Sequence, residues 1–146
     1  MSLTIEVAEA VETAINAASF SITPDSVVRS FFPEQRLSEI GTDLVINIVP
    51  GNRAIKRSAR SRFEETIEIS VSVEKKLTAR TNAVIDPLIA LTEEVEDLLR
   101  ARLTTAGSLD CIWTETSAEI PWSYDILKQE GLYFSLSKFT YRIDRG

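Results

Sequence analysis

At 146 residues, 44% of them hydrophobic and 26% charged, the chain has the size and composition of one globular domain that buries a core without disulfide or metal support, which argues against disorder. Its single cysteine, Cys111, excludes an intrachain disulfide and suits a reducing compartment. No apolar run approaches the roughly 18 to 20 residues of a membrane span, the acidic start (Glu6, Glu9, Glu12) lacks the basic segment of a signal peptide, and a net charge of −6 argues against nucleic-acid binding driven by overall charge.

In chain order, Leu3, Val7, Val11 and Ala14 or Ile15 recur at helical spacing and predict a helix over residues 3–18, with Ser2 or Thr4 as N-cap and acids in the first turns. Residues 19–25 are a connector containing Pro24. A Val- and Phe-rich strand is expected over residues 27–32, followed by an irregular stretch to Thr42 marked by Pro33 and Gly41. The run Leu44 to Val49, apolar on both faces except at Asn47, predicts a central strand that Pro50-Gly51 ends. A polar basic segment over residues 51–62 reads as a long hairpin loop.

From Phe63 to Glu74 the period is strictly two, with Phe63, Ile67, Ile69, Val71 and Val73 on one face and Glu64, Thr66, Glu68, Ser70 and Ser72 on the other. Asp86-Pro87 reads as N-cap and first position of a helix running to about Leu103; the alternative is a start near Asn82 with a kink at the proline. Leu88, Leu91, Val95, Leu98 and Leu99 form its apolar stripe, Glu96 and Arg100 are spaced for an i,i+4 pair, and Gly107 suits a left-handed residue after its end. Residues 111–116 predict a short strand, and residues 119–131 are irregular with one helical turn available at 125–129. The last strand, residues 132–143, changes the phase of its alternation between Leu136 and Phe139, as a bulge near Ser137-Lys138 would make it do. The order helix, strands, helix, strands predicts an α+β fold over residues 1–146 as one domain: a single, mostly antiparallel sheet of about four to five strands packed with two main helices.

Chemistry is sparse. There is no histidine, which removes the commonest general base and metal ligand, together with every serine or cysteine mechanism that needs a histidine partner. No Walker-type or G-x-G-x-x-G loop is present. Acids fall in adjacent pairs (Glu64-Glu65, Glu93-Glu94, Glu96-Asp97), the pattern of solvated faces rather than of a converging catalytic or metal site. The expectation is a chain with no enzymatic activity, no cofactor and no metal. Trp113, Trp122, Tyr124 and Tyr133 serve either as core and interface packing or as a ligand platform.

The segment 51–62 stands out because it holds Arg53, Lys56, Arg57, Arg60 and Arg62, nearly a third of the chain's 16 basic residues, and no acid. Phosphate contact, a plain solvated loop, and docking on an acidic protein surface are its three available uses. An internal complement exists in the helix face carrying Glu93, Glu94, Glu96 and Asp97. Contact between that face on one copy and the basic segment on the next would be head-to-tail, which closes into a ring when the rotation permits.

The order of these pieces resembles the tail-terminator, or tail-completion, proteins of long-tailed bacteriophages. The resemblance rests on the N-terminal helix, the strand pair DLVINIVPGNRAIKR and RFEETIEISVSVEKKL, the helix DPLIALTEEVEDLLRARL, and the closing segment YDILKQEGLYFSLSKFTYRI. It implies a virion assembly subunit that forms a ring, typically a hexamer. Such a ring caps the tail tube and joins it to the head, with the tail-tube protein below and a head-completion or connector protein above. It implies assembly in the host cytoplasm, location in the tail or neck of the virion, no membrane partner, no cofactor, and DNA passing through the ring without specific recognition. The alternatives are another neck or minor tail component of the same fold, or a small non-catalytic ligand-binding or regulatory domain.

Overall fold

A computed structural model describes residues 2–30, 40–120 and 131–145. The end of the strand expected over residues 27–32, residues 33–39 of the expected irregular stretch, the helical turn at 125–129, and the aromatics Trp122 and Tyr124 lie outside the described residues.

The first helix, α1, spans Leu3–Ala17 and buries Leu3, Val7, Val11 and Ile15, with the Ser2 hydroxyl accepting from the Ile5 amide at 3.5 Å. Strand β1 (Ser26–Arg29) follows, then β2 (Val45–Ala59), β3 (Arg62–Lys76), helix α2 (Asn82–Leu99), β4 (Leu103–Thr104), β5 (Asp110–Ile120) and β6 (Leu132–Arg145). They form one six-stranded sheet in the order β1-β2-β3-β6-β5-β4. The sheet is mixed, because β1 runs parallel to β2 while the other pairs are antiparallel. This corrects the expectation of four to five mostly antiparallel strands. At four and two residues, β1 and β4 are too short to reveal a period, and no local pattern distinguishes parallel from antiparallel pairing.

The central ladder is β3 with β6, paired without interruption from Phe63↔Arg145 to Lys76↔Leu132. Both helices lie on one face. There Val7, Val11 and Ile15 of α1 and Leu88, Leu91, Val95 and Leu99 of α2 share a core with Ile46, Ile48, Ile67, Ile69, Val71, Val73, Phe139, Tyr141 and Ile143. The phase change in β6 has a different cause from the expected bulge. Tyr133, Ser135, Ser137, Phe139, Tyr141 and Ile143 keep one phase and all face the helices. Leu132 and Phe134 belong to the other face, where they join Ile40, Ile120 and Leu136 in a second, smaller cluster. The bulges lie in β5 instead, where Thr114 and Glu119 are extra residues against β6.

Two polar arrangements seat α2 on β6. The Thr92 hydroxyl donates to the Leu88 carbonyl (3.0 Å) and lies 2.7 Å from the Tyr133 hydroxyl and 3.2 Å from that of Ser135. The Tyr141 hydroxyl donates to the Leu99 carbonyl at 2.7 Å, satisfying one of the acceptors that a helix end leaves open. The helix begins at Asn82, so Pro87 lies inside it, where the proline offers no N–H to the carbonyl of Ala83. It ends at Leu99 rather than Leu103, and the Ala101 amide bonds to the Leu98 carbonyl in a tightened last turn. Leu103 is then free to pair with Cys111 as part of β4. In the β4–β5 turn the left-handed residue is Ser108 (φ 65°), not Gly107.

On the sheet face away from the helices, β3 places Glu74 fully buried, its carboxylate accepting from the Ser72 hydroxyl at 2.9 Å. Burial pushes the Glu74 carboxyl above its ordinary value, the Ser72 hydrogen bond offsetting only part of that effect.

Tyr141→Phe removes the donor to a buried helix-terminal carbonyl and nothing else. It is expected to lower unfolding free energy by about 1–2 kcal/mol, measured by urea titration against the parent chain.

Candidate functional site

The basic segment read as a loop is strand. β2 continues through Ala59, and only Arg60 and Ser61 turn the chain back, Ser61 taking a left-handed φ of 69°. What hid this is a bulge. Val45 to Pro50 pair with Glu74 to Ile69, then Gly51 and Asn52 stand opposite Glu68 alone before pairing resumes at Arg53↔Ile67. Before the bulge the even residues Ile46 and Ile48 face the helices; after it the odd residues Arg53, Ile55 and Arg57 do. The alternation therefore breaks in the middle of one strand. Glycine suits position 51, since a side chain would begin 3.1 Å from the Glu68 carbonyl oxygen, a tight approach.

The helix-facing side of this hairpin extension corrects one expectation, since Glu65, read with Glu64 as part of a solvated face, is buried. Glu65 stands in the phase of Ile67 and Ile69 and is 2% exposed. Its carboxylate accepts from Arg53 Nε at 3.1 Å and from Arg145 Nε and Nη2 at 2.9 and 2.7 Å. Burial alone would raise the Glu65 carboxyl, but the hydrogen bonds and charges of Arg53 and Arg145 outweigh it and hold the group below its ordinary value. Around this bridge lies a cleft of about 450 Å³ lined by Arg53, Ile55, Phe63, Glu65 and Arg145. Among the described residues, Ile55 and Phe63 are the large hydrophobic side chains left exposed, at 55% and 46%. A neighbouring cleft of about 460 Å³ at the hairpin tip is lined by Arg60, Ser61, Arg62, Asp144 and Arg145.

The basic residues of the hairpin are therefore of two kinds. Arg53 is committed to Glu65, while Lys56, Arg57, Arg60 and Arg62 are exposed with no ion pair among the described residues. The acidic helix face is divided in the same way. Glu94 accepts from the Ser21 amide and hydroxyl at 3.1 and 2.7 Å, tying the connector after α1 to α2. Glu96 reaches down to the Ser137 hydroxyl at 2.8 Å rather than pairing with Arg100, which bonds Asp97 instead. Glu93 and Asp97 are left facing solvent.

Among the described residues no group of three or more His, Cys, Asp or Glu is placed to hold a metal, and no helix is long and apolar enough to cross a membrane. Cys111 is fully buried in the core, and burial, with the negative charges of Asp110 and Glu6, pushes its thiol up to about 11. Tyr133 is buried beneath α2, and Trp113 packs at the core margin with its indole N–H donating to the Thr116 hydroxyl at 2.7 Å, so both aromatics serve packing.

No protein-family model matches the sequence, and no curated protein matches it. Among solved structures the chain is similar to a chain of the virion of a native gene transfer agent particle, at 15% identity and a TM-score of 0.50, over 98% of this chain and 95% of that one. The likeness is one of fold.

Because the folded-state pKa of Glu65 is depressed, its contribution to stability is complete above the ordinary carboxyl value of 4.5 and is lost as pH falls through the folded value. Glu65→Gln is expected to cost roughly 1–3 kcal/mol at pH 7, at the low end if the half-exposed arginines rehydrate. The difference from the parent should shrink below pH 4.5 in denaturation curves taken across pH. For Cys111, a maleimide at pH 8 should label the native chain at least about tenfold more slowly than the urea-unfolded chain; equal rates would contradict the buried placement.

Proposed function

We propose that this chain is a structural subunit of a phage-type virion and, within it, a ring-forming tail terminator that caps the tail tube and meets the head-side connector, with no catalytic role. The observation that carries the reading is the fold likeness to a chain of a virion particle along nearly the whole of both chains. The distribution of chemistry supports it. The sequence holds no histidine, the thiol is buried and hard to ionise, and the Arg53–Glu65–Arg145 cluster is a bridge that links β2, β3 and β6 within the subunit. What the surface does offer is shape and charge: an extended hairpin with exposed Lys56, Arg57, Arg60 and Arg62, and Ile55 and Phe63 beside them. Such a surface suits docking between proteins, where charge sets orientation and exposed apolar side chains supply area. The double strands of this hairpin make its basic residues a fixed array rather than a mobile loop, as a repeating assembly requires.

The test is assembly. Mass measurement in solution with negative-stain electron microscopy, on the chain alone and with purified tail tubes, should show rings or ring-capped tubes. Arg57→Glu with Arg60→Glu should weaken self-association by about tenfold or more, with a larger effect at low salt. A chain that stays monomeric at high concentration and leaves tube ends bare would overturn the reading.

A further inference from the structure

The two borders of the sheet are unlike each other. On one side β1 covers β2 only along Ser26↔Val45 to Arg29↔Ile48, with the Ser30 amide bonding to the Ile48 carbonyl. Among the described residues nothing pairs with β2 beyond that point on its outer edge, and residues 51–57, 59 and 60 are exposed. On the other side β4 covers β5 only at Cys111 and Asp110. From residue 112 to 120 the outer edge of β5 is likewise without a strand partner among the described residues, and Thr114, Glu115, Ala118 and Glu119 are exposed. The two open stretches, 51–59 and 112–120, are of equal length.

Unpaired strand edges present backbone donors and acceptors that seek a partner strand. Here their charges decide which partner. The β2 edge carries Arg53, Lys56 and Arg57 and no acid; the β5 stretch carries Glu115 and Glu119 and no base. Glu119 already meets Lys138 at 3.3 Å, and Arg53 already meets Glu65. The side chains left over are Lys56 and Arg57 on one border and Glu115 on the other. Two β2 edges from two copies would repel, as would two β5 edges, whereas a β2 edge against a β5 edge is attractive.

Direction agrees. β2, β3, β6 and β5 alternate strictly, so β2 and β5 point opposite ways, and a second copy continuing the sheet in the same orientation sets its β5 antiparallel to the first copy's β2. Faces agree as well. Lys56 is in register with Glu64, and Glu115 with Thr140, on the side away from the helices. Ile55, left half-exposed on the helix side, would gain Trp113, Thr116 or Ala118 of the next copy as neighbours, since these share the face of Tyr141, Phe139 and Ser137.

We propose that copies of this chain join head-to-tail by antiparallel pairing of the 51–59 edge of one subunit with the 112–120 edge of the next, producing a sheet continuous across subunits. The proposal rests on the ring-forming reading and names the contact that builds the ring. A contact between two different borders leaves one free at each end of any open oligomer, so it closes only as a ring.

Hydrogen–deuterium exchange of the full chain, dilute and monomeric against assembled at high concentration or on tail tubes, reads the backbone directly. Amides in both 51–59 and 112–120 should slow at least about tenfold on assembly, with α2 unchanged. Charge exchange gives an independent arm: Lys56→Glu and Glu115→Lys should each weaken association about tenfold, and the two together should restore it to within about threefold of the parent. Assembly without protection of these segments would overturn the edge pairing while leaving the ring reading standing. Absence of assembly in every condition would remove both.

Discussion

The unbroken pairing of β3 with β6 is the constraint on which the rest of the molecule depends. It fixes a two-strand platform with a single phase along its whole length, so every odd residue from Phe63 to Val73 and from Tyr133 to Ile143 points to the same side. Helices α1 and α2 cover the part of that side where the side chains are mostly Ile, Val, Phe and Tyr, with Ser135 and Ser137 bonded to α2. Where the phase reaches Glu65 and Arg145, the platform continues but the helical cover ends, and an ionic bridge takes over from the hydrophobic core. The polar requirement is met locally: three hydrogen bonds from two guanidinium groups reach a carboxylate that would otherwise be costly to bury.

From that platform the two sheet borders acquire opposite character. β2 outruns its neighbour β1, and β5 outruns β4, so the sheet ends in steps rather than in straight sides. Charge is sorted onto the steps. Within the sheet, Lys138 is cross-linked to both Glu68 and Glu119. Lys56 and Arg57 on one border and Glu115 on the other are left over. An acidic protein with a basic hairpin is therefore electrostatically lopsided, and it is the lopsidedness rather than the net charge of −6 that bears on how copies approach one another.

Much of this was readable from the residues. The two helices, the period-two strand after Phe63 and the apolar run from Leu44 are strong local signals, and their residues fill the core as expected. What escaped was non-local. The parallel placement of β1 and the two-residue β4 leave no periodic trace. The bulge at Gly51-Asn52 inverts the phase of β2, so a strand looked like a loop, and its Arg and Lys residues reinforced that impression. Glu65 was legible in principle: a carboxylate in register with Ile67, Ile69 and Val71 needs a basic partner, and Arg145 stands directly across the ladder at Phe63, beside it. Of the residues expected at an interface, Arg53, Glu94 and Glu96 turned out to hold the subunit together, because long side chains at strand and helix borders reach inward as easily as outward.

The position of β6 has one more effect. The strand in the middle of the sheet is the last in chain order, and β5, made just before it, has only the two residues of β4 to pair with until β6 is in place. The hairpin of β2 and β3 joins neighbouring segments, whereas the β3–β6 ladder joins segments far apart in the chain. Contacts of that range carry the larger loop-closure cost, and they are the kind that slows folding.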